Sequence, residues 1–294
     1  MKTASPSSTA LWIARGLALA SGDPVLAPYV EPQASELSLR LLDTFSRDLI
    51  TQVRGRTGTH HAIQAIQRLT VPGILTHFVF RKNIIEREVR QALARGCRQI
   101  VVIGAGLDTL TLRLGREFPE ALFAELDHPA TQSFKRQKIH EAGLDRASPR
   151  LRPIDLERES IAAALSTLED FRKDEATFFV CEGLLMYLSP EKAWSLFDSI
   201  RACSAPGSGI VFTSMAPERD GRIAFRRQSR AVKSWLRWRG GLCASHPRAA
   251  RGPRAAGDQA GRLLAAADPA HLRLDRPARR HPGAADHDRR VRPP

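Results

Sequence analysis

The stretch from Ile100 to Thr109, Ile-Val-Val-Ile-Gly-Ala-Gly-Leu-Asp-Thr, constrains this chain more than any other. Four apolar residues running into Gly104-Ala105-Gly106 predict a buried strand that turns sharply into a helix, the first βα turn of a nucleotide-binding sheet. Gly104 permits the tight turn, and Gly106 lets a ligand approach the backbone where a Cβ would intrude. In a dinucleotide site the loop runs Gly-x-Gly-x-x-Gly, and the pyrophosphate rests on the N-terminus of the following helix. Here Thr109 takes the third glycine position and Asp108 puts a carboxylate where a phosphate would lie. Like charges repel strongly in a partly desolvated site. A ligand with an adenosine end and a cationic end suits the loop better, and S-adenosylmethionine (SAM) has that form. The plainer role for Asp108 is a helix N-cap, which does not restore a pyrophosphate site.

Ala121 to Asp127 reads as a second strand ending in carboxylates, with Asp127 placed 21 positions after Gly106. A carboxylate at that tip accepts hydrogen bonds from ribose hydroxyls, and an offset of about 20 residues is the expected one. Glu125 and Asp127 share a face, and Asp127 is nearer the tip. An ordinary acidic turn before Pro129 is the alternative.

The remaining pattern is α/β. Residues 1–95 read as a helical elaboration, with helices over 11–19, 37–50 and about 71–93. A SAM-binding Rossmann-like domain follows over 96–239. Its strands fall at 99–103, 121–126, 150–154, 176–181 and 209–214, and its helices start from 108 and cover 129–141, 157–168 and 190–204. Such alternation implies a parallel sheet with helices on both faces, and continuous apolar runs such as Thr177 to Cys181 suit its buried strands.

Composition narrows the function. With 294 residues and 43% hydrophobic content the chain can bury a sizeable core. Its cysteines, Cys97, Cys181, Cys203 and Cys243, form no Cys-x-x-Cys pair, which argues against a disulfide framework or a zinc site and fits a reducing cytoplasm. The apolar stretch 10–20, interrupted by Arg15, reads as an amphipathic helix entered from Ser7 or Ser8, and no run approaches bilayer-spanning length. The net charge of +14 invites a nucleic-acid reading. Residues 240–294 account for much of the excess, with 11 Arg and 5 Asp, and no RNA-binding signature or aromatic stripe accompanies it.

Those last 55 residues are rich in Ala, Arg, Gly and Pro and contain no aromatic residue. They are expected to be disordered and to add no strand, because they cannot bury enough apolar surface to offset their ordering entropy. The abrupt change after Trp238 matches a reading-frame shift near Gly240 in a GC-rich coding sequence. A genuine basic interaction tail is the alternative.

Four motifs in register carry a resemblance: Gln99 to Thr109; Glu125-Leu-Asp-His-Pro129 with Lys135 downstream; Asp155-Leu156; and Cys181-Glu-Gly-Leu-Leu-Met-Tyr-Leu188. In these, and in Ser8-Thr9-Ala10 with Arg15, the chain resembles the leucine carboxyl methyltransferase family over roughly residues 8–238. The resemblance implies the Rossmann-like class I SAM-dependent methyltransferase fold, here with five of seven strands visible and the last ones missing. It further implies SAM binding by Arg81, Gly104, Ala105, Gly106, Asp127, Asp155, Leu156 and Glu182. In that scheme Arg81 pairs with the methionine carboxylate, and Gly104 lies beneath the methionine part. Asp127 holds the ribose, Asp155-Leu156 the adenine, and Glu182 stands beside the transferred methyl. A helix-surface salt bridge remains open for Arg81, and a helix N-cap before Glu157 for Asp155.

The implied reaction is methyl transfer to an oxygen, carboxylate or hydroxyl, of a small molecule or protein, a small-molecule acceptor being favoured. A carboxylate acceptor needs no general base, whereas a hydroxyl would call on Tyr187, His128 or Glu182. No residue is singled out as catalytic, and no metal, nucleic acid or membrane is implicated. Two rival readings stay open: an inactive remnant whose altered C-terminus impairs it, and an NAD(P)-dependent oxidoreductase, which Asp108 and Thr109 disfavour.

Overall fold

The sheet forms where the chain is most apolar. A computed structural model describes residues 6–54, 58–69, 71–147, 149–215 and 264–265. In it, β1 (Gln99–Ile103) and β4 (Thr177–Cys181) are buried along their whole length. They lie side by side, flanked by β2 (Leu122–Asp127), β3 (Arg150–Pro153), β5 (Gly209–Phe212) and the short β6 (Leu264–Ala265), in the order β3-β2-β1-β4-β5-β6 with every pair parallel. Side chains alternate across a strand, so two cores form. Ile100, Val102, Phe178 and Val180 pack against Ile85, Val89 and Leu93 of α5 (Ile74–Ala94) and Leu110 and Leu114 of α6 (Leu110–Glu117). Val101, Ile103, Phe179 and Cys181 face Ile161 and Leu165 of α8 (Ile161–Ser166) and Leu196 and Ile200 of α9 (Pro190–Ala202). Each such side chain stabilises the fold by about 1.5–3 kcal/mol on burial, so a charge at Val101 would break both strand and core.

The N-terminal helices are α1 (Ser8–Ala20), α2 (Pro32–Arg40), α3 (Thr44–Arg54) and α4 (Thr59–Leu69). The Ser7 hydroxyl caps α1 by accepting from Ala10 N at 3.3 Å. The single helix expected over 37–50 is two helices, because Asp43 accepts from Ser46 N at 2.9 Å and starts a new first turn. The sequence reading passed over α4, although Ala62, Ile63, Ile66 and Leu69 recur at helical spacing. Long α5 joins the two layers: Leu75, Phe78 and Val79 pack with α1, while its second half lies on the sheet. The helix expected over 157–168 is only α8, since Ser160 supplies the cap. The α7 helix (Pro129–Glu141) has the expected bounds.

One expectation about the tail is overturned. Leu264–Ala265 forms β6, a two-residue strand with Val211 opposite Leu264 and Phe212 opposite Ala265. An open β5 edge offers unpaired backbone groups, and 263–267, Leu-Leu-Ala-Ala-Ala, is a short apolar run free of Gly and Pro. The expected disorder of the rest of 240–294, Cys243, and the end of the Rossmann-like region at 216–239 lie outside the described residues. Cys97, Cys181 and Cys203 are buried free thiols. Among the described residues no helix is long and apolar enough to cross a membrane.

Candidate functional site

Parallel strands bring their carboxyl ends to one edge, and the chain order reverses between β1 and β4, where open α/β sheets bind ligands. Gly104–Gly106 follows β1, Asp127 ends β2, Asp155 and Leu156 follow β3, and Glu182 follows β4. All the residues expected to hold the cofactor except Arg81 thus come from this edge, and Arg81 reaches it from α5.

Gly104 and Gly106 have φ of +71° and +56°, the left-handed region that glycine enters without strain. A Cβ on Gly104 would sit 3.2 Å from the Leu184 side chain, and one on Gly106 would sit 3.0 Å from Ala10 Cβ. The close approach to Gly106 is therefore made by α1, a partner the local sequence did not reveal. Ala105 points its methyl into the core beside α5 and α6, which leaves only its backbone toward the site.

Asp127 Oδ2 accepts from Gly106 N at 2.5 Å and Oδ1 from His128 N at 2.6 Å. The carboxylate clamps the glycine loop to β2, and each oxygen keeps a lone pair for a hydroxyl donor. Burial pushes its carboxyl up against the lowering effect of those N–H bonds. Glu125, two residues earlier, is fully buried and serves structure: Lys135 Nζ donates to its two oxygens at 2.8 and 2.6 Å, and the Thr111 hydroxyl donates as well. Lys135 also donates to Asp108 O at 2.5 Å, tying the glycine loop to α7.

Asp108 takes the plainer role weighed for it, at the start of α6, and overturns the other. One residue before the N-cap Thr109, its Oδ1 accepts from Leu110 N at 2.9 Å and closes the turn into α6, while Oδ2 receives Lys82 Nζ at 2.5 Å. Burial alone would raise its carboxyl, yet the Lys82 charge and hydrogen bond hold it well below the usual carboxylate range. Its charge is thus matched by Lys82, so repulsion by Asp108 is not what selects the ligand. Lys82 also donates to Glu182 Oε2 at 2.8 Å and so staples the β1 loop to the end of β4. Sequence reasoning passed over Lys82; its only signal was a charged residue next to Arg81 on a long amphipathic helix.

Arg81 is not a solvated surface residue, because its side chain is 10% exposed. Its Nε lies 2.7 Å from Glu182 Oε1, close enough for an ion pair, but the angles miss hydrogen-bond geometry. Arg81 Nε and Nη2 and Glu182 Oε1 are consequently buried without a hydrogen-bond partner. Such orphaned donors are costly unless a ligand supplies acceptors. A carboxylate fits Nη2, which is the fit required if SAM binds here.

Asp155 behaves as a turn cap, accepting from Glu157 N at 3.1 Å through Oδ1, and its side chain is 36% exposed. Leu156 packs at the margin of the α8–α9 core. The candidate bases are engaged. His128 Nδ1 accepts from Ala130 N at 3.3 Å as the cap of α7, the Tyr187 hydroxyl is 3.1 Å from Thr9 Oγ1, and Glu182 is held by Arg81 and Lys82.

A protein of Mycolicibacterium gilvum provisionally named S-adenosyl-L-methionine-dependent methyltransferase is 34% identical over 212 residues, 70% of this chain and 65% of that one. A protein of the same name from Mycolicibacterium vanbaalenii is 33% identical over 72% of this chain and 67% of its own. The chain therefore spans about two-thirds of the length of these relatives. A solved methyltransferase structure from Thermobifida fusca, also provisionally named, is 18% identical and superposes with a TM-score of 0.44 over 64% of this chain and 69% of its own. The family model described as leucine carboxyl methyltransferase matches residues 20–201, and this chain belongs to that family.

Proposed function

We propose that this chain is a SAM-dependent O-methyltransferase of a reducing cytoplasm, acting on a carboxylate of a small-molecule acceptor. The carrying observation is the buried, unpartnered Arg81 Nη2 at the β1–β4 switch point, beside Glu182 and Lys82. Bound SAM supplies a methyl carbon already activated by its sulfonium. Arg81 takes the methionine carboxylate, Asp127 the ribose hydroxyls, and Asp155 and Leu156 the adenine. The backbone of Gly104, Ala105 and Gly106 lies under the cofactor. Glu182 complements the sulfonium charge while Lys82 fixes its orientation.

In-line displacement needs alignment and exclusion of water more than proton transfer. The engagement of His128, Tyr187 and Glu182 in structural bonds supports an acceptor that arrives ionised. Carboxylates are ionised at neutral pH, whereas hydroxyls must lose a proton. Thermal melting with S-adenosylhomocysteine (SAH) against NADH tests the reading. At a hundredfold excess over Kd, SAH should stabilise the chain by about 2.7 kcal/mol and NADH should not. A shift with NADH alone, or with neither, would overturn it; SAH binding without turnover of any carboxylate would support the inactive-remnant reading instead.

A further inference from the structure

Three contacts set the plane of the Arg81 guanidinium. Glu182 Oε1 lies 2.7 Å from Nε, and the Phe78 ring faces the group with its centroid 5.4 Å from Cζ. Trp12 of α1 in turn holds the Phe78 ring edge-on at 5.2 Å. The third contact is His77, one helical turn before Arg81 on α5, whose Nε2 lies 3.3 Å from Arg81 Nη1. Arg81 Nε and Nη2 have no acceptor, so among the described residues the guanidinium hydrogen-bonds to His77 alone.

Arginine can only donate, so Nε2 accepts, and His77 is neutral with its proton on Nδ1 whenever this bond exists. The guanidinium is a rigid planar fork, so a bond at Nη1 also fixes where Nη2 stands. Protonated, His77 has two donors and no acceptor, and it sets a second positive charge against Arg81. The bond is then lost. Burial and the Arg81 charge already push the imidazole below its ordinary value, and Glu182 opposes them.

The other elements on this part of α5 leave that balance as it is. Lys82, next to Arg81, is held between Asp108 and Glu182. Strands β4 and β5 carry no charged side chain, and the one charged residue of α1, Arg15, pairs with Asp43 at 3.2 Å. Helix α4 meets α5 through Gln67; its His60 is held by Asp23 at 3.1 Å, and its His61 and Arg68 are exposed.

We propose that His77 is a positioning residue for the cofactor: neutral, it holds Arg81 with Nη2 presented to the methionine carboxylate, and protonation releases that hold, so cofactor affinity falls as pH falls through the His77 titration. The inference rests on the SAM reading above, in which Arg81 takes that carboxylate. The amino-acid end of the cofactor is a zwitterion and brings no net charge to His77. Because the cofactor prefers the neutral imidazole, its binding must in turn make His77 harder to protonate.

Calorimetry with SAH on the full chain at pH 8 and pH 5 compares wild type, His77→Gln and His77→Leu. Gln Oε1 can accept in place of Nε2 at either pH, whereas Leu cannot. Between pH 8 and pH 5 the wild type should lose about fivefold more affinity than His77→Gln, the size of one hydrogen bond. At pH 8 His77→Gln should match the wild type and His77→Leu should be about fivefold weaker. The Asp127 carboxyl adds the same slope to all three proteins, so the difference belongs to His77. Equal slopes in wild type and His77→Gln, or a His77→Leu variant as tight as wild type at pH 8, overturns the inference. Should a variant fail to fold, an NMR titration of the wild-type imidazole decides: SAH should lower the His77 midpoint, and a midpoint unchanged or raised overturns the inference. A wild type that does not bind SAH at pH 8 overturns the cofactor reading instead.

Discussion

Lys135→Met isolates the buried ion pair beneath the glycine loop. Lys135 and Glu125 are each 1% exposed, and the ammonium donates to both carboxylate oxygens and to Asp108 O. Methionine keeps most of the aliphatic stem, so packing changes little and the loss is chiefly the charge and three hydrogen bonds. What remains is a buried carboxylate with only the Thr111 hydroxyl as side-chain donor. Breaking one partner of such a pair costs about 3–5 kcal/mol.

The pH dependence follows from the same geometry. Burial already pushes the Glu125 carboxyl above its ordinary value, with Lys135 opposing that rise. Without Lys135 the folded state holds the proton more tightly than the unfolded state does. Where the folded chain binds more protons, stability falls as pH rises. The variant should therefore lose less at pH 5 than at pH 8. Urea midpoints of the wild type, Lys135→Met and the double variant Lys135→Met/Glu125→Leu measure this at both pH values. The double variant should recover part of the loss, since removing both charges leaves only Thr111 and Asp108 O short of partners, at about 1–3 kcal/mol. A single-variant loss below about 1 kcal/mol at pH 8, equal losses at the two pH values, or a double variant no better than the single would refute the reasoning.

Asp127→Ala should weaken SAH binding by about 1.5–3 kcal/mol, the loss of a charged acceptor, and calorimetry showing unchanged affinity in a folded variant would reject its ribose role. It should also loosen the glycine loop, because Gly106 N loses its acceptor. Gly106→Val should destabilise the fold as well as block the cofactor: φ of +56° is strained for a β-branched residue by about 1–3 kcal/mol, and its Cβ meets Ala10. Adding Ala10→Gly should relieve the collision but not the backbone strain; a melting temperature fully restored by the second change would contradict that division.

Local pattern determined much of this protein. The apolar run before Gly104 specified β1 to the residue, and Pro129 in the first turn marked the start of α7. The positions of the strands along the chain and the Gly104-x-Gly106 and Asp127 spacing were legible because a βα turn is built from neighbours in sequence, whereas their order in the sheet came from the fold. Tertiary structure decided what lay across distance. Lys82 meets Asp108 and Glu182 across 26 and 100 positions, and Ala10 reaches Gly106 from α1. No periodicity encodes such partners, since a lysine on a helix reads as surface until another strand end supplies carboxylates. The same holds for Leu264–Ala265, whose strand character depends on the open β5 edge rather than on its own two residues. The charge on Asp108 was visible in the sequence. Its neutralisation was not, because an ion pair is a property of the packed fold.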